Sequence, residues 1–339
     1  MPRKTGRNRI TSPEKLKLVN EGNMRLKKDF LLYLKSVQRS PGTIEGYDSD
    51  LNIVFVYILN ELGNKDFQRL TKRDIIALQN WMVEAGMSSA RIRRIKAAIS
   101  SLSNYIENIV SDEDPEFDGY RSIVRKIENP PLVPVREKTV WEDSELEHLL
   151  DILTANGEFE KACFVALGMY GGRRKAELCR FRVSDFGEGH VVCDGALYKS
   201  APILTKGDKM LECYTLKKRF DPYLSRWMAE RERIGVESEW LFPADGKPEQ
   251  QMPISMANSW ANTCSRLTGR DFYFHSLRHY FVSALSRAGI PDSVVVEIMG
   301  WSSSEMFKVY DDNPKDNKLA MYFKDGEIDT SNIKPVDKL

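Results

Sequence analysis

Between His275 and Tyr310 the chain carries side chains suited to phosphate chemistry. His275-Ser276-Leu277-Arg278-His279-Tyr280 supplies an imidazole and a guanidinium, Met299-Gly300-Trp301 an indole, and Tyr310 a phenol. Upstream, Gly172-Arg173-Arg174-Lys175-Ala176-Glu177-Leu178 adds a second guanidinium at a helix start. These residue types together fit one task, attack on a phosphodiester without a metal. The anionic oxygens of a phosphodiester repel a nucleophile; cations on the non-bridging oxygens remove that obstacle and stabilise the five-coordinate transition state. Arginine suits this best, because its planar fork pairs bidentately with phosphate. A lone arginine is usually a surface ion pair, so the weight rests on Arg174 and Arg278 being framed by separate motifs. Arg173 adjoins Arg174 and is the competing guanidinium.

A metal reading competes for the same residues. His275 and His279 stand at i and i+4 on a predicted helix, the spacing of a zinc-binding pair. A zincin needs HExxH, and position 276 is serine. With no base in the motif and no third ligand, no metal is expected. His279 reads as a packed or hydrogen-bonded helix residue.

The elements that must position these groups follow from periodicity. Residues 1–20 are a basic, flexible tail. Four helical patterns follow, near 21–38, near 43–62, from a capping box at Thr71-Lys72-Arg73-Asp74 to about Gly86, and from Ser88 or Ser89 through Ile106. They predict a helical bundle over 21–128. On its fourth helix Arg91, Arg94 and Lys96 lie largely off the isoleucine stripe, facing either a phosphate backbone or water. A shorter helix is expected over 115–127. Asn129-Pro130-Pro131-Leu132-Val133-Pro134 forbids a helix and reads as an extended linker over 129–138. About ten extended residues reach roughly 30 Å.

The second domain spans 139–339. Helices are expected at 143–154, 158–170, 174–181, 218–233, 255–268, 275–288, 291–299 and 303–311, with a weak one near 315–324. Between 190 and 215 the runs at 190–193, 201–204 and 210–214 predict one small three-stranded antiparallel sheet. The fold class is therefore mainly α with a small antiparallel β-sheet.

Composition bounds the partners. The 339 residues hold 50 basic and 49 acidic side chains, net +1, so any nucleic-acid surface must be local rather than global. Five scattered cysteines (163, 179, 193, 213, 264) with no CxxC pair fit a reducing cytoplasm. No apolar run reaches the length of a membrane span, and no signal-peptide core is evident.

Taken in order, these motifs resemble those of the tyrosine recombinases, the family of phage integrases and the Xer and Cre recombinases. The R-x-x-E-L element is Arg174-Lys175-Ala176-Glu177-Leu178, the H-x-L-R-H element His275 to His279, and the L-G-[HW] element Met299-Gly300-Trp301, with Tyr310 nine residues beyond the tryptophan. The family's hairpin lysine matches Lys206 in Thr205-Lys206-Gly207-Asp208-Lys209. Order and spacing agree throughout 139–311; the helical N-terminal region resembles the core-binding domain more weakly. Two departures stand out: tryptophan for histidine at 301, as in Cre, and Met299 for leucine.

The resemblance implies a catalytic domain after an N-terminal helical DNA-binding domain, and a roster of roles. Tyr310 would attack the scissile phosphate and form a 3′-phosphotyrosyl bond, reversed by a 5′-hydroxyl, with no metal, ATP or other cofactor. Arg174 and Arg278 would clamp the non-bridging oxygens. Lys206 would protonate the leaving 5′-oxygen, with Lys199 and Lys209 as neighbouring alternatives. His275 would take the tyrosine's proton and touch phosphate, Trp301 would donate its indole N–H or simply pack, and Glu177 would hold the active-site arginine or histidine in place. Tyr273, Tyr280 and Tyr322 are the competing phenols. The implied partners are double-stranded DNA and further copies of the chain, a tetramer on two sites. The apolar cluster Leu319, Met321, Tyr322 and Phe323 either docks on a neighbour or packs on its own subunit. A catalytically silent DNA-binding relative and a type IB-like topoisomerase are the alternative functions.

Overall fold

The structure, a computed structural model, describes residues 10–134, 137–205, 207 and 209–314, and the backbone of 323–324 and 327–328. The chain forms two units divided between Glu137 and Lys138.

In the N-terminal unit, α1 (Pro13–Leu18) leads into four long helices, α2 (Glu21–Ser36), α3 (Pro41–Glu61), α4 (Lys72–Glu84) and α5 (Ser89–Tyr105). Each start has a local cause. Asn20, Ser40, Thr71 and Ser88 accept from backbone N–H groups of the first turn, and Thr71 with Asp74 completes a capping box. Ser40-Pro41, in the gap between the first two helical patterns, is also the cap and first residue of α3, because proline suits a first-turn position that needs no N–H partner. Phe30, Leu51, Val54, Phe55, Leu78, Met82, Ile95, Ile99 and Leu102 fill the core between the helices.

Past Tyr105 the expected helix over 115–127 does not form. After a π-turn at Ile106–Val110 and α6 (Ser111–Glu113) there is a single 3-10 turn at Pro115–Phe117. Gly119 and Lys126 take positive φ, and Phe117, Tyr120 and Ile123 tuck into the core. Burial of these side chains outweighs helix propensity here. The proline strap over 129–134 has no regular structure, as expected, but it is pinned to α5 rather than free. Ser89, Arg93 and Lys96, at i, i+4 and i+7, share one helix face. Arg93 donates twice to the Pro130 carbonyl (3.1 and 2.8 Å), and Ser89 Oγ accepts from the Val133 N–H at 3.0 Å. Lys96 Nζ donates to Gln79 Oε1 and to the carbonyls of Ile127 and Glu128.

The C-terminal unit is built on α7 (Asp143–Ala155), α8 (Phe159–Gly171), α9 (Lys175–Leu178), α10 (Lys217–Ile234), α11 (Ile254–Thr268), α12 (Phe274–Arg287), α13 (Asp292–Met299) and α14 (Glu305–Tyr310). From Ala162 to Gly171 helix α8 is buried on every side, and Phe164 meets Phe242, Trp260 and Phe274 edge-on. A second, smaller cluster of Phe281, Val282, Val295, Met299, Phe307 and Tyr310 joins α12, α13 and α14.

The expected three-stranded sheet is corrected. Its strands are β1 (Val191–Val192), β2 (Leu197–Lys199) and β5 (Tyr214–Leu216), while β3 (Ile203–Leu204) and β4 (Met210–Leu211) form a separate two-stranded hairpin. Cys193, Asp194 and Gly195 all take positive φ, so the chain turns back early and 197–199 becomes the middle strand. A further hairpin, β6 (Pro243–Ala244) with β7 (Lys247–Gln251), turns at Asp245-Gly246. Asp-Gly is a hairpin signal that was available in the sequence. The weak helix expected near 315–324 is replaced at its end by β8 (Phe323–Lys324), paired with β9 (Glu327–Ile328); its residues 315–322 lie outside the described ones. No described helix is long and apolar enough to cross a membrane.

Candidate active site

The residues singled out around a phosphate chemistry converge at the N-terminal half of α12. His275, Arg278 and His279 occupy i, i+3 and i+4 of that helix, hence one face. The helix start is fixed from outside, since Trp141 Nε1 donates to Ser276 Oγ at 2.8 Å and Ser276 Oγ donates to the Tyr273 carbonyl at 2.6 Å.

Tyr310 closes α14 over this face. Its hydroxyl lies 3.1 Å from His275 Nε2. Its ring stacks on His279 (centroids 4.5 Å, 30°) and on Trp301 (5.0 Å, 28°), and the Arg278 guanidinium carbon stands 5.3 Å from the centroids of both Tyr310 and Trp301. A phenol held between two rings beside a buried cation has few rotamers left, and the cation faces its π-electrons. Tyr310 is only 5% exposed. Tyr280, a competing phenol, is buried, and burial with nearby Asp143 pushes its ionisation far up. Tyr322 lies outside the described residues.

Arg278 is fully buried. Nη1 donates to the Gly172 carbonyl at 3.0 Å, Nη2 stands 3.5 Å from the Met299 carbonyl, and Nε has no partner. Gly172 ends α8 at φ +62°, and a Cβ there would sit 2.3 Å from Phe281 Cδ1. Only glycine lets this turn approach α12 closely enough to meet Arg278. Burial, reinforced by the cations of Arg174 and Arg173, pushes Arg278 down to about 10, so it stays a cation at neutral pH.

Arg174 caps α9 through Glu177. The Arg174 N–H donates to Glu177 Oε2 and Nη1 to Oε1, both at 2.9 Å. Glu177 is buried, and its Oε2 is also 4.0 Å from Arg278 Nη1. One carboxylate thus serves both arginines, and Arg174 keeps a partly open side chain toward solvent. Its neighbour Arg173 turns the other way. It is fully buried, donating from Nη2 to the Ile298 carbonyl at 2.5 Å, with Nε and Nη1 unpartnered.

His275 has an open face, yet its ionisation is pushed down to about 4. Desolvation by the packed helices is the first cause, followed by the neighbouring charges of His279, Arg278, Arg174 and Lys138. The imidazole is therefore neutral at pH 7, with Nε2 facing a phenol. The Trp301 Nε1–H is enclosed and has no hydrogen-bond partner, although its ring packs in the α12–α14 cluster. Packing and an available donor coexist in that residue.

Lys206 lies outside the described residues. Around it, Thr205 bonds back to the Lys209 carbonyl through its N–H and Oγ1. Lys199 is engaged with Glu212 at 2.8 Å, and Lys209 is exposed.

In the N-terminal unit the expected basic face is largely spoken for. Arg91 and Arg94 both bind Asp50, a carboxylate 2% exposed, at 2.7 Å. Burial raises Asp50 in spite of Arg94. Lys96 corrects the expectation more sharply, because it is 5% exposed and its three bonds, to Gln79, Ile127 and Glu128, use all three donors of an ammonium.

Three contributors were missed in the sequence. Lys138 and Asp312 meet beside His279, and Ser283 of α12 donates from Oγ to the Tyr310 carbonyl while accepting from the Asp312 N–H. Nothing in periodicity or motif spacing marks a lysine at 138 as a neighbour of residues 309–312.

The chain matches two family profiles, the phage integrase family over residues 140–316 and the phage integrase N-terminal SAM-like domain over 28–108. A prophage-derived recombinase-like protein of Bacillus subtilis, YomM, is 30% identical over 226 residues, 65% of this chain and 65% of the relative, just under two-thirds of its length. A tyrosine recombinase of Thermosipho africanus is 22% identical over 82% of this chain and 91% of its own. Among solved structures, XerH site-specific recombinase bound to a palindromic difH substrate superposes with a TM-score of 0.65 at 18% identity, covering 91% of this chain and 86% of that one. That likeness concerns the fold.

Proposed function

The chain belongs to the phage integrase family, and from that premise we propose that it is a tyrosine site-specific recombinase, cutting and rejoining double-stranded DNA through a 3′-phosphotyrosyl intermediate. The observation that carries the proposal is the 3.1 Å approach of the Tyr310 hydroxyl to Nε2 of a neutral His275, beside the Arg278 guanidinium.

In the proposed step Tyr310 Oη bonds to phosphorus as the P–O5′ bond breaks. The phenol proton passes to His275 Nε2, a group within hydrogen-bond reach and free to accept it. Lys206 supplies the proton that the departing 5′-oxygen takes up. Arg174 and Arg278 neutralise the non-bridging oxygens, where charge gathers in the transition state. Glu177 holds both guanidinium groups in place. Trp301 donates its unpartnered N–H to a phosphate oxygen, positioning it without moving a proton. The ester keeps the energy of the broken bond, so a 5′-hydroxyl can reverse the step without ATP or metal. The working unit is proposed to be a tetramer holding two duplexes. Arg91 and Arg94, whose side chains stay partly exposed beside Asp50, are proposed as backbone contacts of the N-terminal unit.

The test is a duplex nicked near the scissile phosphate, which traps the intermediate. Wild-type protein should yield a covalent protein–DNA adduct, with or without EDTA, and Tyr310→Phe should yield none. An adduct that survives Tyr310→Phe would remove the nucleophile, and loss of the adduct in EDTA would remove the metal-free mechanism. Product topology separates strand exchange from relaxation, and no adduct at all identifies a silent DNA-binding relative.

A further inference from the structure

Two charged side chains without a part in that chemistry converge on the segment bearing Tyr310. Lys138, at the start of the C-terminal unit, donates from Nζ to the Val309 carbonyl at 3.0 Å and also binds Asp312 Oδ1. Asp312 is largely buried, and its Oδ2 lies 3.4 Å from His279 Nδ1. Burial works to raise Asp312, but His279 and Lys138 hold its carboxyl below the usual value, so it remains an anion between two nitrogen bases.

The location matters for a physical reason. Helix α14 has six residues and ends at Tyr310, and the last carbonyls of a helix lack intrahelical partners. A cation there satisfies a carbonyl and opposes the negative end of the helix dipole. Lys138 does both at Val309. Asp312 then sets that capping cation against the imidazole on which the Tyr310 ring stacks, a 3.4 Å contact to an Nδ1 that is buried and makes no hydrogen bond. From α12, Ser283 and Ser286 hold the same stretch through Tyr310, Asp312 and Asp311.

We propose that Lys138 and Asp312 are positioning residues for the tyrosine: together they lock the end of α14 to His279, so that the phenol stays within reach of His275. This rests on the reading of Tyr310 as nucleophile. Lys138 also belongs to the charges around His275, which are Arg278 and His279 on its own helix, Arg174 at the start of α9, and Lys138 itself, with the Tyr310 phenol facing it from α14. Removing the Lys138 cation relaxes the pressure against protonating His275. The acid limb of the cleavage profile then moves to higher pH.

The experiment uses the full chain and single-turnover adduct formation on the nicked duplex, at saturating protein, across about pH 4 to 8. Lys138→Met should slow adduct formation by roughly 10- to 100-fold, the scale of a small misplacement of a reacting group, with duplex affinity unchanged. Its acid limb should lie at higher pH than that of wild type. Lys138→Arg, which restores the cation, should recover most of the rate. Asp312→Asn, which keeps the shape and removes the charge, should slow the step as well. Wild-type rate and limb in both Lys138→Met and Asp312→Asn overturn the inference. So does a slower Lys138→Met with an unmoved limb and no recovery in Lys138→Arg, since that pattern belongs to general support of the fold. An adduct that persists in Tyr310→Phe, or none from wild type, strikes instead at the nucleophile assignment and takes this inference with it.

Discussion

Leu211 fills the space in which any side chain at Gly300 would begin. A Cβ at Gly300 would stand 2.5 Å from Leu211 Cδ1 and 2.6 Å from Cδ2. Gly300 also ends α13 in the left-handed region, at φ +64°. The hairpin of β3 and β4 therefore rests directly on the turn that leads to Trp301. The Lys206 loop joins those two strands, so the glycine sets how closely that hairpin approaches the tryptophan.

Gly300→Ala should accordingly destabilise the chain twice over. The left-handed backbone costs about 1 kcal/mol for alanine, and the methyl must displace Leu211. Adding Leu211→Ala should relieve the second part. A double-mutant cycle in urea should then return a favourable coupling of about 1 kcal/mol. Strict additivity would mean that the hairpin yields without resistance.

His275 gives a pH signature whose sign is fixed. Its folded value is pushed down to about 4, below the ordinary 6.5. Below 6.5 the unfolded chain takes up a proton that the folded one refuses, so this residue's share of stability is lost as pH falls from 6.5 toward 4. His275→Gln should show a shallower loss of stability than wild type in that window, with equal slopes above pH 7. Unfolding midpoints measured at several pH values check this, and parallel curves for the two proteins would contradict it.

Trp301→Phe separates the two properties of the indole. Phenylalanine keeps a ring against Tyr310 and removes the unpartnered Nε1–H. A hydrogen bond to a charged group is worth about 1.5–3 kcal/mol, so adduct formation should slow by roughly 10- to 100-fold with little change in stability. Trp301→His, which restores a donor, should recover part of the rate. An unaltered rate in Trp301→Phe would leave only the packing role.

Lys96 should behave as an interior residue. Lys96→Met leaves the carbonyls of Ile127 and Glu128 without their donor, and should lower stability by about 1–3 kcal/mol. The salt dependence of DNA binding should keep its slope, because no phosphate contact is removed. Arg94→Met, by contrast, should reduce that slope by about one contact. A drop in slope for Lys96→Met would return it to the DNA surface.

Much of the fold is legible in the sequence. The helices of the bundle follow from apolar periodicity and from Thr71 and Ser88, whose side chains cap locally, so neighbouring sequence suffices to specify them. His275, Arg278 and His279 share a face by helix geometry alone. What failed did so where distant packing decides. The stretch over 115–127 has helical composition, yet Phe117, Tyr120 and Ile123 gain more by entering the core. The strand at 197–199 goes unread, and 201–204 is placed in the wrong sheet, because three positive-φ residues at 193–195 place the turn, and only one of them is glycine. The basic cluster of α5 looked like a surface because a sequence cannot show that Asp50 and the backbone of 127–133 lie opposite it.

By itself, then, the sequence determined the kinds of group available and their order along the chain: two framed arginines, a histidine, an indole and a phenol, on helices whose periods are local. The tertiary structure alone decided their company. It buried Arg278 against Gly172, set Tyr310 between His279 and Trp301, turned Arg173 inward while Arg174 stayed at Glu177, and brought Lys138 to Asp312. These pairings join residues up to 174 positions apart. Charge and desolvation act through space, so a partner so remote in sequence fixes a side chain's ionisation and donors only once the chain has folded.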